Sequence, residues 1–367
     1  MSSKIRGLWT KLSHHNGWVH EQRVWVIAAT VFVLTVILYW LSAASLGRTQ
    51  SPDEAYFNDL ADAFLQGRSY LINPPSQYDL TLYNGKRYVP FPPLPALLML
   101  PWVAVSGVER VNTVLFAVVM GAANVALTFL LLRSLATRGW TRLRLTDNLW
   151  LTALFGIGSV HWYVATLGTV WFVSQICTVT FILLAVWAAV ATGSPILSGS
   201  ALAAAMLARP HVALCYPLPL AIAIQQSRER NGRLQVLYLG RWMVLSLAPM
   251  ILVVAGLLEY NGLRFGNMSD FGYLKENVSD ALINDLRKYG QFNLHYAPRN
   301  LWAMWLSHPV WDKTINRLVP IKEGMSLLLT TPALIYLLRA RQRSIVVTGA
   351  WIAFGLLLIN GVNLSGF

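Results

Sequence analysis

Two neighbouring carboxylates, Asp53 and Glu54, follow directly after the first long apolar segment of the chain. Residues 24–46 of that segment carry no charge. A helix of this length, rising about 1.5 Å per residue, can cross a hydrocarbon core of about 30 Å. An acidic pair at the mouth of a membrane helix contributes little to anchoring. It suits chemistry on a substrate that the membrane delivers, although the simpler interpretation is that the pair caps a following helix.

Composition places the chain among multi-pass membrane proteins. Hydrophobic residues make up 55% of the 367 residues, charged residues make up 12%, and the mean hydropathy is +0.49. These values differ from those of ordinary soluble proteins. The 15 tryptophans and 14 tyrosines suit membrane interfaces. Cys177 and Cys215 both lie in apolar runs, so they predict neither a disulfide framework nor a metal site.

The net charge of +13 would suit a nucleic-acid partner, but the location of the basic residues excludes this class. Most of the excess lies in short segments between apolar runs, which the positive-inside rule assigns to the cytoplasm. Four clusters hold these residues: Lys4, Arg6, Lys11 and Arg23; Arg133, Arg138, Arg142 and Arg144; Arg228, Arg230, Arg233 and Arg241; and Arg339, Arg341 and Arg343. The distribution of basic residues therefore indicates which segments face the cytoplasm, and it does not indicate nucleic-acid binding.

The clusters and apolar runs together predict an all-α integral membrane protein with about nine helices in one domain, residues 1–367. The N-terminal residues 1–23 are then cytoplasmic, and two long loops, residues 47–110 and 261–321, lie outside. Leu94–Val105 is too short to span and is interrupted by prolines, so we expect an interfacial helix there. The predicted spans are residues 24–46, 111–132, 148–166 and 170–192, a short hairpin over 197–226 that breaks near Arg209-Pro210, and residues 240–260, 324–338 and 345–363.

The first outer loop contains two local signals. Apolar residues recur at helical spacing after Pro52 and predict a short amphipathic helix, with Asp53 and Glu54 in its first turn. The segment Tyr83-Asn84-Gly85-Lys86 predicts a tight turn, because Asn-Gly favours left-handed backbone conformations. The loop is therefore structured on both sides of this turn.

Several motifs together resemble the GT-C superfamily of membrane glycosyltransferases, which take sugars from polyprenyl phosphates. The first loop contributes the acid after helix 1, the pattern AxxFLxG and the segment Y-x-G-K-x-Y-x-x-x-PP-x-PALLxLP. Each motif is weak alone, but their order and spacing over residues 51–335 are fairly specific. The second half contributes Tyr260-Asn261, Arg264-Phe265-Gly266, Phe271-Gly272-Tyr273, Tyr296–Asn300, and Gly324–Leu327 with Thr331-Pro332-Ala333.

The resemblance implies a membrane glycosyltransferase that moves a sugar from a polyprenyl-phosphate carrier to a lipid, glycan or protein acceptor. The reaction would take place on the extracytoplasmic face of the bacterial inner membrane. Such a transfer needs a base for the acceptor hydroxyl. The family gives this role to the acid after helix 1, which corresponds to Asp53. Glu54 is the alternative, or a partner that orients the acceptor or a metal.

The departing lipid phosphate needs cations around it. Arg209 is the first candidate because it lies inside an apolar run, where an arginine requires a partner, although it could instead cap the proline break. Related aminoarabinose transferases carry a lysine immediately before the paired prolines, but this chain has Phe91 there. Lys86 and Arg87 are therefore alternative phosphate-binding residues, and Arg299 in the second loop is a weaker one.

His161 lies at the outer end of helix 3, where relatives often place a second acid that supports a divalent metal. With Asp53 it could bind a divalent cation, although a lone interfacial histidine is more often structural. Trp162, Tyr163 and Tyr88 are candidates for binding the sugar through their aromatic rings. An interfacial aromatic belt is the commoner explanation for such residues.

The sequence lacks a P-loop, a dinucleotide fingerprint and hydrolase motifs, which argues against a nucleotide-sugar donor. Two alternatives to the glycosyltransferase remain: a transporter or flippase of lipid-linked sugars, and a catalytically degenerate relative that only binds. Transporters place ionisable groups at the bilayer midplane and show repeats, whereas these acids lie in loops. Family members usually extend well past nine helices, so we expect the C-terminal part of the usual architecture to be absent.

Overall fold

Helices dominate the architecture. The computed structural model describes residues 3–319, 321, 324–339 and 344–365, so Arg341 and Arg343 of the fourth basic cluster lie outside the described residues. Two antiparallel hairpins, β1 (Thr81–Tyr83) with β2 (Lys86–Tyr88) and β3 (Val310–Asp312) with β4 (Arg317–Val319), are the paired strands in this part of the chain. The α-helices are α1 (Ser3–Ser45), α2 (Tyr56–Leu65), α3 (Leu94–Ser106), α4 (Thr113–Thr137), α5 (Leu145–Ile157), α6 (His161–Ala165), α7 (Val170–Ala191), α8 (Pro195–Met206), α9 (Pro217–Asn231), α10 (Val236–Phe265), α11 (Asp280–Tyr289), α12 (Ala297–Trp305), α13 (Leu327–Thr330) and α14 (Ile345–Val362).

Five of the described helices are long and apolar enough to span a membrane: α4, α7, α10, α14 and Gln22–Ser45 of α1. Burial divides them into two groups. In the most apolar window, 61% of α4 and 56% of α7 are buried, against 17%, 22% and 11% for α1, α10 and α14. Helices α4 and α7 therefore form the centre of the bundle. The other three expose apolar faces, as helices in contact with lipid do.

The predicted spans agree with the structure except at two helices. Predicted helix 3 is divided into α5 and α6 around Gly158, which ends α5. Predicted helix 8, residues 324–338, is wrong as a single span: it contains only the four-residue α13 and a 3-10 helix, Pro332–Arg339. The cause is Pro332, which lacks an amide N–H and disfavours helical backbone angles at Thr331, whose φ and ψ are −143° and 73°.

The predicted hairpin over residues 197–226 is confirmed. Helix α8 ends at Met206, Arg209 has extended backbone angles, and a 3-10 helix, Pro210–Cys215, leads into α9. The helix predicted at Leu94–Val105 is also present, as α3, and it packs with α2 in one apolar cluster. The break at Arg209 therefore leaves polar backbone groups at the end of an otherwise apolar helix pair.

Small residues allow the helices to pack closely. A Cβ atom built on Gly199 of α8 would lie 2.1 Å from the carbonyl oxygen of Ser246 in α10. A Cβ on Gly349 of α14 would lie 2.4 Å from that of Ala221 in α9. These distances are far inside van der Waals contact, so the backbones meet without intervening side chains, as is common in membrane bundles.

The bundle has two chemically different ends. At the end that we call the basic end, Arg138 donates to the Ala191 carbonyl at 3.1 Å, and Trp140 donates to Glu229 at 2.7 Å. At the opposite end, which we call the loop end, the Val170 amide at the start of α7 donates to the Glu54 carbonyl at 3.0 Å. The two long acidic loops thus occupy one end of the bundle.

The two loops are also joined to each other. The Asp79 amide donates to the Asn277 carbonyl at 2.9 Å, and the Asn277 amide returns a bond to Leu80 at 2.9 Å. Thr81 pairs with Glu276 in an antiparallel bridge. Gly272 has φ +79°, and a Cβ there would lie 2.8 Å from the Thr81 side chain, so this contact requires glycine. Residues far apart in sequence therefore form one surface above the bundle.

Candidate active site

Asp53 and Glu54 lie in a turn before α2, not within it. The prediction that they occupy the first turn of this helix is wrong, because α2 begins at Tyr56 and the Ala55 amide closes a turn on the Pro52 carbonyl. Asp53 is exposed and Glu54 is half-buried. Both carboxylates are thus held at the start of α7, where Glu54 accepts its backbone hydrogen bond, and neither is needed to cap α2.

The phenol of Tyr56 interacts with the charges of several acids of the first loop. Its hydroxyl donates to the Tyr78 carbonyl at 2.7 Å. Burial raises the pKa of the Tyr56 phenol to about 12, and the charges of Glu54, Asp79 and Asp53 add to that shift. The charges of three carboxylates of the first loop therefore act on this phenol.

Asp79 is a carboxylate that the sequence did not single out. The indole N–H of Trp171, in the first turn of α7, donates to Asp79 Oδ2 at 2.7 Å. Burial raises the pKa of Asp79; the Trp171 hydrogen bond opposes this shift and the charge of Glu54 reinforces it. No recognisable motif surrounds Asp79 in the sequence, and only the contact with the second loop and α7 places it here.

Glu276 brings a further carboxyl group from the second loop. Its backbone pairs with Thr81, and its side chain lines a cavity of about 50 Å³ with Asp285 and Tyr296. Burial, reinforced by the charge of Asp79 and opposed by Arg209, raises the pKa of Glu276 to about 8. No motif in the sequence pointed to Glu276. It is nevertheless the acid of the second loop that faces Arg209.

Arg209 lies at the break between α8 and α9, as predicted. Its Nε donates to the Ser174 hydroxyl at 3.0 Å and its Nη2 donates to the Trp171 carbonyl at 3.1 Å. The guanidinium lies 4.6 Å from the centre of the Phe91 ring. Within the described ranges Arg209 forms no ion pair, and Nη1 has no hydrogen-bond partner. The guanidinium is therefore held against α7, whose Trp171 indole also binds Asp79, and it has no ion pair with a described residue.

Lys86, Arg87 and Tyr88 form strand β2, on a different side of the first loop. Lys86 Nζ lies 4.4 Å from the centre of the Tyr70 ring. The buried Nε of Arg87 has no hydrogen-bond partner, and the ring of Tyr88 lies 5.3 Å from that of Phe265. The Asn-Gly turn predicted between the strands is confirmed, with Tyr83 opposite Lys86. These residues belong to a cationic and aromatic cluster next to the end of α10.

Arg264 is the centre of this second cluster and was not among the predicted site residues. It is 4% exposed, donates to the Val89 carbonyl at 2.8 Å and to Asn261 Oδ1 at 2.7 Å, and lies 4.1 Å from the Tyr260 ring centre. Its Nε has no hydrogen-bond partner. The motif Arg264-Phe265-Gly266 was the available sequence signal.

Arg299 lies elsewhere, in α12. Its guanidinium is 5.8 Å from the Tyr296 ring centre, and its buried Nε has no partner. The neighbouring Asn300 donates to the Val362 carbonyl at the end of α14. None of the described contacts of Arg299 is with Asp53 or Arg209, so it does not share their site.

His161 occupies a packed environment between α1 and α4. Tyr39 Oη donates to the Gly156 carbonyl at 2.6 Å, so it can accept from His161 Nδ1 at 3.1 Å. Asn124 Nδ2 lies 3.2 Å from Nε2 and acts as its donor. This arrangement suits a neutral imidazole that uses both nitrogens. Among the described residues no group of three or more His, Cys, Asp or Glu side chains could hold a metal ion. The divalent cation with Asp53 and His161 stays a prediction, without support from these contacts.

Trp162 and Tyr163 are 36% and 45% exposed at the loop end. Tyr163 lies 6.5 Å from Phe172, which lies 6.4 Å from Trp171, measured between ring centres. Arg48 lies 5.5 Å from the Tyr163 ring centre. An aromatic row thus runs from Tyr163 to the indole that binds Asp79, and it provides flat surfaces beside the carboxylates.

Comparison with known proteins bears on the fold. No protein-family model matches this sequence, and no curated protein matches it. A solved structure of ArnT from Cupriavidus metallidurans, bound to undecaprenyl phosphate, is similar with a TM-score of 0.50 at 14% sequence identity. The match covers 94% of this chain and 56% of that protein, so this chain spans little more than half of its length. The likeness confirms the architecture expected from the sequence motifs, and the chain has a GT-C-like transmembrane fold.

Proposed function

We propose that this protein is a membrane glycosyltransferase that uses a polyprenyl-phosphate sugar donor. The observation that carries the proposal is the position of Arg209, an unpaired guanidinium beside carboxyl groups from both loops, at the end of a membrane bundle. A phosphate on a membrane-bound lipid would find a cation there, and a hydroxyl acceptor would find a base. The ArnT structure, which holds undecaprenyl phosphate, supports this choice of donor.

In the proposed reaction Asp53 accepts the proton of the acceptor hydroxyl, and Glu54 orients the acceptor. The acceptor oxygen forms a bond to the anomeric carbon as the bond from that carbon to the phosphate oxygen breaks. The lipid phosphate leaves with both electrons of that bond, and its added negative charge develops beside Arg209. The acceptor is a lipid, glycan or protein hydroxyl group.

Arg209 takes the place of the lysine expected before the paired prolines. Phe91 occupies that sequence position, and its ring packs against the Arg209 guanidinium. Arg209, at the break between α8 and α9, thus provides the cation that the lysine would otherwise provide. Lys86 and Arg87, on the hairpin, and Arg299, in α12, are assigned lesser roles, because their contacts join other clusters.

The remaining assignments follow from this placement. Trp162 and Tyr163 bind the sugar through their rings, and Tyr88, which is buried beside Phe265 in the other cluster, is assigned a lesser role. The basic end faces the cytoplasm, because short basic segments are retained on that side. Asp53 and Arg209 then face the extracytoplasmic side of the inner membrane.

The proposal is tested by transfer from radiolabelled polyprenyl-phosphate sugars, with purified protein in lipid nanodiscs. Asp53→Asn removes the base while keeping the shape of the side chain, and we expect a loss of about 10²-fold or more in rate. Asp62→Asn is the matched control, because Asp62 is an acid of the same loop whose contact is with Gln66. It is expected to retain wild-type activity.

Two results would contradict the proposal. If the wild-type protein transfers no sugar from any donor of the panel, a binding or transport role replaces the enzyme. If Asp53→Asn stays as active as Asp62→Asn, Asp53 is not the base and Glu54→Gln is the next variant to measure.

A further inference from the structure

Large apolar side chains are exposed in a part of the chain that contains no membrane span. Between α10 and α14 none of the described helices is long and apolar enough to cross a bilayer. Helix α12, the residue that follows it and the β3–β4 hairpin nevertheless expose seven such residues: Leu301, Trp302, Leu306, Val310, Trp311, Ile315 and Leu318. Exposure of so much apolar surface in one region indicates a surface that is covered in the native environment.

The largest apolar residues of the hairpin strands lie on one face, whereas the other face carries Val310 and Val319 together with one charged pair. Trp311 and Leu318 stand directly opposite each other in the antiparallel register and are 56% and 62% exposed, so their side chains lie side by side on the same face. Asp312 and Arg317 form the next pair and lie on the other face. Ile315 is at the tip, where the Asp312 carboxylate accepts the Thr314 amide at 2.7 Å and fixes the turn.

The position of α12 places this face at the membrane boundary. Asn300 of α12 donates hydrogen bonds to the Val362 carbonyl at 3.0 Å and the Leu364 carbonyl at 2.9 Å, where the α14 span ends. Only 11% of the α14 window is buried, so this span presents its surface to lipid. The exposed residues of α12 therefore lie next to the end of this span, and the β3–β4 hairpin follows α12 directly in the chain.

The charges of the hairpin suit an anionic surface. Lys313 and Arg317 are both exposed. The one acid of the hairpin, Asp312, is occupied in the turn. Aromatic and aliphatic residues next to two basic residues are the composition of segments that lie in the headgroup region of anionic bilayers.

We propose that α12 and the β3–β4 hairpin form a lipid-binding unit that lies in the membrane interface. Trp311, Ile315 and Leu318 enter the region between headgroups and acyl chains, and Lys313 with Arg317 contacts anionic headgroups. The unit thereby holds the second loop, which carries Glu276, at a fixed height above the bilayer. The inference does not depend on the sugar-transfer reaction.

The experiment places an environment-sensitive nitrobenzoxadiazole label on single introduced cysteines. Both native cysteines, Cys177 and Cys215, are buried, so the labelled wild-type chain gives the background. Leu318→Cys reports the apolar face, and Lys288→Cys, at an exposed position of α11 outside the proposed unit, is the control. In nanodiscs that contain one protein each, we expect a blue-shifted emission from position 318. Lipids brominated near the headgroup should quench that position several-fold more strongly than position 288.

A second measurement tests the headgroup preference. Quenching at position 318 should increase when phosphatidylglycerol replaces part of the phosphatidylcholine, and Lys313→Glu with Arg317→Glu should abolish that increase. Equal quenching at 288 and 318, or none at 318, would overturn the proposal. A blue shift that appears only in discs with two copies would assign the face to a second chain, and would overturn it as well.

Discussion

Arg209 is the residue whose surroundings carry most information about function. Its two hydrogen bonds, to Ser174 and to the Trp171 carbonyl, fix the guanidinium plane and leave its charge without a counterion among the described residues. A buried or half-buried arginine without a carboxylate partner is costly in a membrane protein. An anionic ligand would remove that cost, and Glu276 is the nearby group that can compete with it.

The first prediction concerns pH and Glu276. Because the pKa of Glu276 is raised to about 8, the group is mainly neutral at pH 7 and mainly charged at pH 9. A charged Glu276 would pair with Arg209 and repel a phosphate, so polyprenyl-phosphate binding should weaken by about tenfold between these pH values. Glu276→Gln stays neutral and should bind with similar affinity at both. Intrinsic tryptophan fluorescence can report the binding.

Glu109→Gln is the control for this measurement. Glu109 is exposed on the 3-10 helix before α4, so its removal should leave the pH dependence of the wild-type protein intact. The ionisation of the ligand phosphate is the same in every variant. If the affinity of Glu276→Gln for polyprenyl phosphate falls at pH 9 as much as that of the wild-type protein, Glu276 does not control the affinity.

At the level of elements, the sequence predicted helices well and contacts poorly. The spans were predictable because long apolar runs between charged clusters have few alternatives in a bilayer. The break at Arg209 was predictable from Pro210, but the division at Pro332 was missed, because the surrounding residues are as apolar as those of a span. The pairing of Thr81 with the second loop was not predictable, since Gly272 is 191 residues away and no local pattern specifies the contact.

The second prediction concerns the contact between α8 and α10. Gly199→Ala would place a methyl group 2.1 Å from the Ser246 carbonyl oxygen, so the two helices would have to separate. Overpacking of this kind costs about 1–3 kcal/mol. The melting temperature in detergent should fall accordingly. Gly240→Ala is the matched control, because Gly240 lies in α10 with nothing within 4 Å of the added atom.

Gly240→Ala should melt at the wild-type temperature or above it, since alanine favours a helix more than glycine does. Equal changes in the melting temperatures of the two variants would mean that the α8–α10 contact does not decide the outcome. An unchanged melting temperature for Gly199→Ala would show that the helices relax around the methyl group without loss.

At the scale of the whole molecule, charge and topology are arranged together. The carboxyl groups of both loops and Arg209 lie at the loop end, and Arg138, Arg228 and Arg230 lie at the basic end. Because the same bundle separates the two sets, its orientation in the membrane decides which compartment supplies the acceptor. A prediction of how the bundle is oriented in the membrane is therefore also a prediction of the side on which the proposed reaction takes place.

The third prediction follows from the positive-inside rule, which places the basic end in the cytoplasm. Lys288→Cys marks the second loop and Arg233→Cys marks the connection between α9 and α10; both side chains are exposed. A maleimide that cannot cross the inner membrane should label Lys288→Cys in intact bacterial cells made permeable only at any outer membrane. It should label Arg233→Cys only after lysis. The two native cysteines are buried and should add little background. The reverse pattern would put the acids and Arg209 in the cytoplasm, where the acceptor would have to be a cytoplasmic molecule.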